Sequence, residues 1–173
     1  MTLPLHTSTL PEKAVRAPVA ATPQQAMVPL NDSLTGRTEL TLPSTLATVD
    51  RMEQEAERFA TAHGFSEDDA ANIAMAVREA TVNAVLHGNS YSNEKQVRTS
   101  LLCDEKSLTV SIQDEGAGFN AAVLPDPLLP ENILRSSGRG VFLMRALMDE
   151  VNFRQLSPGT ELTLIKHRTA EAT

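Results

Sequence analysis

Arg78-Glu79-Ala80-Thr81-Val82-Asn83-Ala84-Val85-Leu86-His87-Gly88-Asn89 is the stretch that decides the reading of this chain. It has the composition of a helix end, closed by Gly88. Glu79, Asn83 and His87 are spaced four apart, so on an α-helix each lies about 40° round from the last, along one face. Ala76, Val77, Ala80 and Ala84 fall on or beside the same side. Polar groups therefore line the edge of an apolar stripe. A half-buried carboxylate and an amide one turn apart suit one basic group and one metal-facing oxygen. The same pattern also describes a plain amphipathic helix with a polar rim.

Upstream, Ser66 caps this helix, with Asp68 and Asp69 in its first turn, where the dipole favours anions. Before it, Ser44 is placed to cap a helix through Val49, Met52, Ala56 and Phe59 to about His63, stopped by Gly64. Thr38 to Pro43 alternates as a short strand. Downstream, Gln96 to Cys103 and Ser107 to Gln113 read as strands joined by a turn at Asp104-Glu105-Lys106. A third helix is predicted over Gly140 to Met148. A final strand pair, Val151 to Leu156 and Glu161 to Lys166, surrounds Ser157-Pro158-Gly159. This order predicts an α+β two-layer sandwich, a mixed, mostly antiparallel sheet with helices on one face.

Residues 1–37 are rich in Pro, Thr and Ala, which predicts a flexible tail. The structured domain spans 38–168, and 169–173 form a second short tail. The chain has 173 residues, is 41% hydrophobic and carries a net charge of −7. That charge and an aromatic content of only 3% argue against a nucleic-acid footprint, which needs a basic face and stacking platforms. The single cysteine, Cys103, excludes an intrachain disulfide and reads as a small buried hydrophobe. No apolar run reaches membrane-spanning length. The N-terminus lacks a signal-peptide pattern, which points to the cytoplasm.

Two further constellations carry chemistry. Asp114-Glu115-Gly116-Ala117-Gly118-Phe119 follows directly on an apolar strand. It is either a β-turn or a carboxylate at a strand end, able to accept from an exocyclic amine such as adenine's, with glycines that let a ligand approach closely. Ser136-Ser137-Gly138-Arg139-Gly140-Val141 reads as a glycine-rich loop entering a helix. Its backbone N–H groups and Arg139 suit a polyphosphate. Between them lies a segment with Pro125, Pro127 and Pro130, long enough to be a functional lid. A Walker A loop is absent from the sequence, and Gly138-Arg139-Gly140 lacks the rest of a dinucleotide fingerprint.

Taken together, E-A-x-x-N-A-x-x-H-G-N, D-E-G-x-G-F, G-R-G-x-x-L-M-R-x-L-M-D-E-V and the Gly159-Thr160 turn resemble the GHKL (Bergerat-fold) ATPases. Within them the likeness is to the anti-sigma-factor serine/threonine kinases, and it runs from about Thr38 to Arg168. The resemblance implies ATP and Mg²⁺ as cofactors. It makes Glu79 the general base and places Asn83 on the metal. Asp114 would take the adenine amine with help from Thr160, Gly116 and Gly118 would shape the purine pocket, and Gly138, Arg139 and Gly140 would hold the triphosphate. It implies a STAS-type anti-anti-sigma protein as substrate, a sigma factor as bound target, and a homodimer. Two alternatives stay within the likeness: an ATP-binding regulator that sequesters its partner with little kinase activity, and a switch acting on a non-sigma target. A histidine kinase is disfavoured, because no phosphoacceptor hairpin precedes the domain.

Overall fold

In the computed structural model the described residues are 35–118 and 136–169. The predicted tail up to Leu34, the stretch from Phe119 to Arg135 that holds the predicted lid, and residues 170–173 lie outside them. Five strands form one sheet in the order β1-β2-β3-β5-β4: β1 Gly36–Pro43, β2 Gln96–Cys103, β3 Ser107–Gln113, β4 Glu150–Gln155 and β5 Thr160–His167. Every pairing is antiparallel, so the sheet is not mixed among the described residues. Among the described residues three α-helices accompany it: α1 Leu46–Ala62, α2 Glu67–Val82 and α3 Ser136–Leu147.

Alternation sets the two faces of the sheet. Val97, Thr99, Leu101 and Cys103 of β2 and Leu108, Val110 and Ile112 of β3 are buried, while their neighbours are more exposed. The buried row joins Val49, Met52 and Phe59 of α1, Ile73 and Val77 of α2, and Val141 and Met144 of α3 in one core. Full burial of side chains such as Met52, Ile73 and Leu101 contributes about 1.5–3 kcal/mol each. No helix among the described residues is long and apolar enough to cross a membrane.

Local signals explain most boundaries. The Ser66 side chain accepts from the Asp69 N–H at 3.1 Å, so it caps α2 as expected. Gly64 takes φ +80° just beyond α1, where a left-handed residue ends the helix. Asp104 Oδ1 accepts from the N–H groups of Lys106 and Ser107 and closes the β2–β3 turn.

Ser44 is not the α1 cap. The N-cap is Thr45, and its side chain makes no capping bond. Ser44 is 1% exposed, and its hydroxyl has no partner among the described residues. The hydroxyl that ties the entry to α1 is instead Thr48 Oγ1, donating to the Pro43 carbonyl at 2.5 Å. Strand β1 begins at Gly36, ahead of the predicted Thr38, because β2 is long enough to pair it as far as Cys103.

The end of α2 also departs from the prediction. From Asn83 to Gly88 the chain winds as a π-helix. The Asn89 N–H donates to the Ala84 carbonyl at 2.8 Å, five residues back. Such turns are rare and concentrate at functional sites. Ser90 and Tyr91 follow at φ 53° and 59°, a left-handed pair that reverses the chain toward β2.

Candidate nucleotide site

Asp114 is the first residue after β3, beside the first residue of β5. Its N–H donates to the Thr160 carbonyl at 3.0 Å. Its Oδ1 accepts from Gly116 N–H at 2.8 Å and Thr160 N–H at 3.2 Å. The residue is only 9% exposed. Burial pushes its carboxyl up from the usual carboxylate range, against the pull of the Gly116 and Thr160 N–H groups and of Lys95. Both of these N–H bonds fall on Oδ1, not on Oδ2.

Glycines line this carboxylate because nothing larger fits. A Cβ on Gly88 would stand 2.3 Å from Asp114 Cγ, and one on Gly116 would stand 2.1 Å from the Gly88 carbonyl oxygen. Gly159, at φ +99°, passes so close that its Cβ would meet the Asp114 carbonyl oxygen at 1.9 Å. Gly118, at φ +89°, packs against the Gln155 amide.

The π turn explains why Gly88 is there. Bonding between residues five apart brings Gly88 round toward the face of Asn83. Of the three predicted polar groups, Glu79 and Asn83 are half-buried and His87 is exposed.

Glu79 and Asn83 are half-buried and meet the backbone of α3 at one point. A Cβ on Gly140 would stand 3.0 Å from Glu79 Oε2, 3.7 Å from Asn83 Nδ2 and 3.8 Å from Asn83 Oδ1. Gly140 is thus the close-approach residue that lets α3 seat against both groups. The predicted loop before a helix at Gly140 is instead helix: α3 starts at Ser136 and contains Gly138, Arg139 and Gly140. Gly138 and Arg139 lie in the first turn, where backbone N–H groups lack intrahelical acceptors. Arg139 is exposed.

Two residues unassigned by the sequence reading hold the site together. Asn89 is 0% exposed. Its Nδ2 donates to the Gln96 carbonyl at 3.0 Å, and its Oδ1 accepts from Glu115 N–H at 2.8 Å. Glu115 accepts from Gln96 N–H at 3.0 Å and from Arg98 at 2.7 Å. Together they fix the loop carrying Asp114 to the start of β2 and the end of the π turn. Both stand in the sequence motifs, Asn89 beside Gly88 and Glu115 beside Asp114, with no role assigned to them there.

Residues 42–166 match the histidine kinase-like ATPase domain family. The chain belongs to that family. ATP is accordingly the nucleotide the domain takes. Among similar proteins is an anti-sigma F factor of Anoxybacillus flavithermus, 35% identical over 107 residues, 59% of this chain and 72% of the relative. A serine-protein kinase RsbW of Staphylococcus epidermidis is 32% identical over 138 residues, 75% of this chain and 85% of the relative. A solved Mycobacterium tuberculosis structure containing RsbU and RsbW domains shares the fold, with a TM-score of 0.54 at 22% identity. That match covers 79% of this chain and 34% of the solved one. In this ATPase family member Cys103 is buried, as its strand context predicts. Arg168 Nη2 lies 3.2 Å from its sulfur.

Proposed function

We propose that the protein is an ATP-dependent serine/threonine protein kinase. It phosphorylates a STAS-type anti-anti-sigma protein and binds and inhibits a sigma factor, acting in the cytoplasm as a homodimer. The kinase domain occupies 38–168. The observation that carries the reading is the convergence of the Glu79 carboxylate and the Asn83 amide on Gly140 of α3. A base, a side-chain amide and the N-terminal part of a helix meet at one place.

The roles follow from the chemistry. The buried Asp114 carboxylate, with Oδ1 already engaged by backbone, offers Oδ2 to the adenine amine. Thr160 contributes by fixing Asp114 through its backbone. Gly116 and Gly118 leave room for the purine, and Gly138, Arg139 and Gly140 face the phosphates. Asn83 Oδ1 suits Mg²⁺, which takes oxygen ligands and is completed by ATP phosphates and water rather than by an all-protein cage. When bound, Mg²⁺ would neutralise charge developing on the transferred phosphoryl group.

Glu79 then accepts the proton of the incoming Ser or Thr hydroxyl. The hydroxyl oxygen bonds to the γ-phosphorus as the bond from that phosphorus to the β,γ-bridging oxygen breaks, leaving ADP and a phosphoester. A positioned base contributes about 10²- to 10⁴-fold to such a step. The test is incubation with γ-labelled ATP and candidate antagonist proteins, alongside a pull-down with and without ATP. Label on a hydroxyl amino acid of a STAS-type protein, with a sigma factor retained, is the expected result. ATP binding with retention of a partner but no transfer to any antagonist would leave a sequestering regulator.

A further inference from the structure

The end of α3 remote from Gly140 is tied down by one side chain. Lys166 of β5 is only 16% exposed in its side chain. Its Nζ donates to the carbonyl of Leu147, the last residue of α3, at 3.2 Å. The same ammonium lies 3.5 Å from Asp69 Oδ1 and 4.0 Å from Asp149 Oδ1. The last carbonyls of a helix lack intrahelical donors and carry partial negative charge, so a cation there is well placed. Asp69 is itself fixed, since its N–H and its Oδ2 both meet Ser66 Oγ at 3.1 Å. Asp149 is laced to β5 by its N–H to the Ile165 carbonyl at 3.0 Å and by His167 N–H to Oδ2 at 2.6 Å.

These contacts orient α3 against α2. Gly140 lies at Glu79 and Asn83, near the end of α2, whereas Leu147 is joined through Lys166 to Asp69 in its first turn. The two helices therefore run antiparallel. The anchor stands seven residues from Gly140, about 10 Å along the helix. Val141, Met144 and Met148 hold α3 against the core, but apolar contact is non-directional. The polar knot at Lys166 fixes where along α2 the helix stops.

We propose that Lys166 is a positioning residue for phosphoryl transfer. It pins the C-terminal end of α3 so that the Gly138–Gly140 turn bears on Glu79 and Asn83. The inference rests on the kinase reading of those two residues. Without the anchor α3 samples neighbouring placements, and ligands that need the seated one bind in proportion to its population. ATP needs it for its terminal phosphate, whereas ADP, held chiefly at Asp114, depends on it less.

The test uses the full chain with Lys166→Met, Lys166→Gln and Lys166→Arg. Calorimetric Kd values are measured for Mg·ATP and Mg·ADP, together with amide exchange in α3 and transfer to the antagonist. The expected result for Lys166→Met is about 10-fold weaker ATP binding with ADP changed less than about 2-fold, the proportion lost with the seated state. Faster exchange near Gly140 and slower transfer accompany it, and Lys166→Arg restores all of these. Lys166→Gln, which keeps a donor for Leu147, falls between and serves if Lys166→Met does not fold. An unchanged ATP-to-ADP ratio in folded variants overturns the inference, as does a parallel loss of both nucleotides that tracks stability. Failure of the kinase reading is distinguishable. There the wild-type chain itself transfers no phosphate, or Glu79→Ala transfers normally, while the ATP-to-ADP ratio still reports on Lys166.

Discussion

Asp114→Asn separates folding from recognition at the adenine end of the site. The amide is nearly isosteric with the carboxylate. Its oxygen can keep both acceptor roles, from Gly116 N–H at 2.8 Å and Thr160 N–H at 3.2 Å. Its NH₂ then occupies the place of Oδ2, against Gly88. The apo fold loses no backbone partner and is relieved of a buried charge. The sign of the pH effect follows. Burial raises the folded carboxyl above its unfolded value, so the native state binds more protons between the two. The stability this group contributes is complete below the unfolded pKa, near 3.9, and is lost as pH rises through the folded pKa. The variant should show a flatter stability curve over that window and, at neutral pH, a midpoint no lower than wild type.

Nucleotide binding should move the other way. A charged acceptor for the adenine amine becomes a donor facing a donor. Hydrogen bonds to charged groups are worth about 1.5–3 kcal/mol, which converts to roughly 10- to 150-fold in Kd. Calorimetric titration with ATP and ADP should show this loss equally for both, because the change is at the base and not at the phosphates. Scanning calorimetry from acid to neutral pH supplies the stability curve. Wild-type affinity in a folded Asp114→Asn protein would refute adenine recognition by this carboxylate. A midpoint several degrees lower at neutral pH would refute the account of its burial.

Glu79→Ala should lower phosphate transfer by about 10²- to 10⁴-fold in a single-turnover assay while ATP affinity stays near wild type; normal transfer would remove Glu79 as the base. Gly88→Ala forces a methyl into the Asp114 carboxylate, 2.3 Å from Cγ. Overpacking of this kind costs about 1–3 kcal/mol, so a lower denaturation midpoint and weaker ATP binding should appear together. Asn89→Ala removes the part-buried bonds to the Gln96 carbonyl and the Glu115 N–H. A hydrogen bond contributes about 0.5–1.5 kcal/mol net, and chemical denaturation should register the sum; a neutral result would mean water replaces both bonds.

Much of this architecture was legible because its signals are local. Strands β2 and β3 alternate strictly, Ser66 sits where a cap must sit, and Gly64 stops α1 by its φ of +80°. The Glu79–Asn83 face was legible for the same reason, since four residues is nearly one α turn. What escaped the sequence was set by partners distant along the chain. The helical winding of Gly138–Gly140 depends on a seat against α2, and a Gly-Arg-Gly run has no propensity that would announce it. Ser44 lost the capping role although its side chain suits it, because its position at the β1 exit is buried and its N–H is taken by the Lys95 carbonyl at 3.0 Å. The approach of Gly88 to Asp114 escaped because the segment changes helical period after Asn83.

That change of period is what connects the two ends of the site. An α-helix continued past Asn83 would carry Gly88 about 140° away from the Asn83 face. The π turn brings it back. It delivers a residue without a side chain, so Asp114 can press to within contact of the helix backbone. Asn89, next in line, then lies where it can clasp Gln96 and Glu115 at 3.0 and 2.8 Å. One additional residue in a single turn thus sets the spacing between the carboxylate assigned to adenine and the amide assigned to the metal. The left-handed Ser90–Tyr91 pair completes the arrangement, because the chain must reverse within a few residues to enter β2 at Gln96. Non-glycine residues held there cost on the order of 1–3 kcal/mol each. The bonds of the buried Asn89 side chain and of Glu115 offset that cost, and the same bonds hold the Asp114 loop in place. In this region backbone strain and site geometry have one cause.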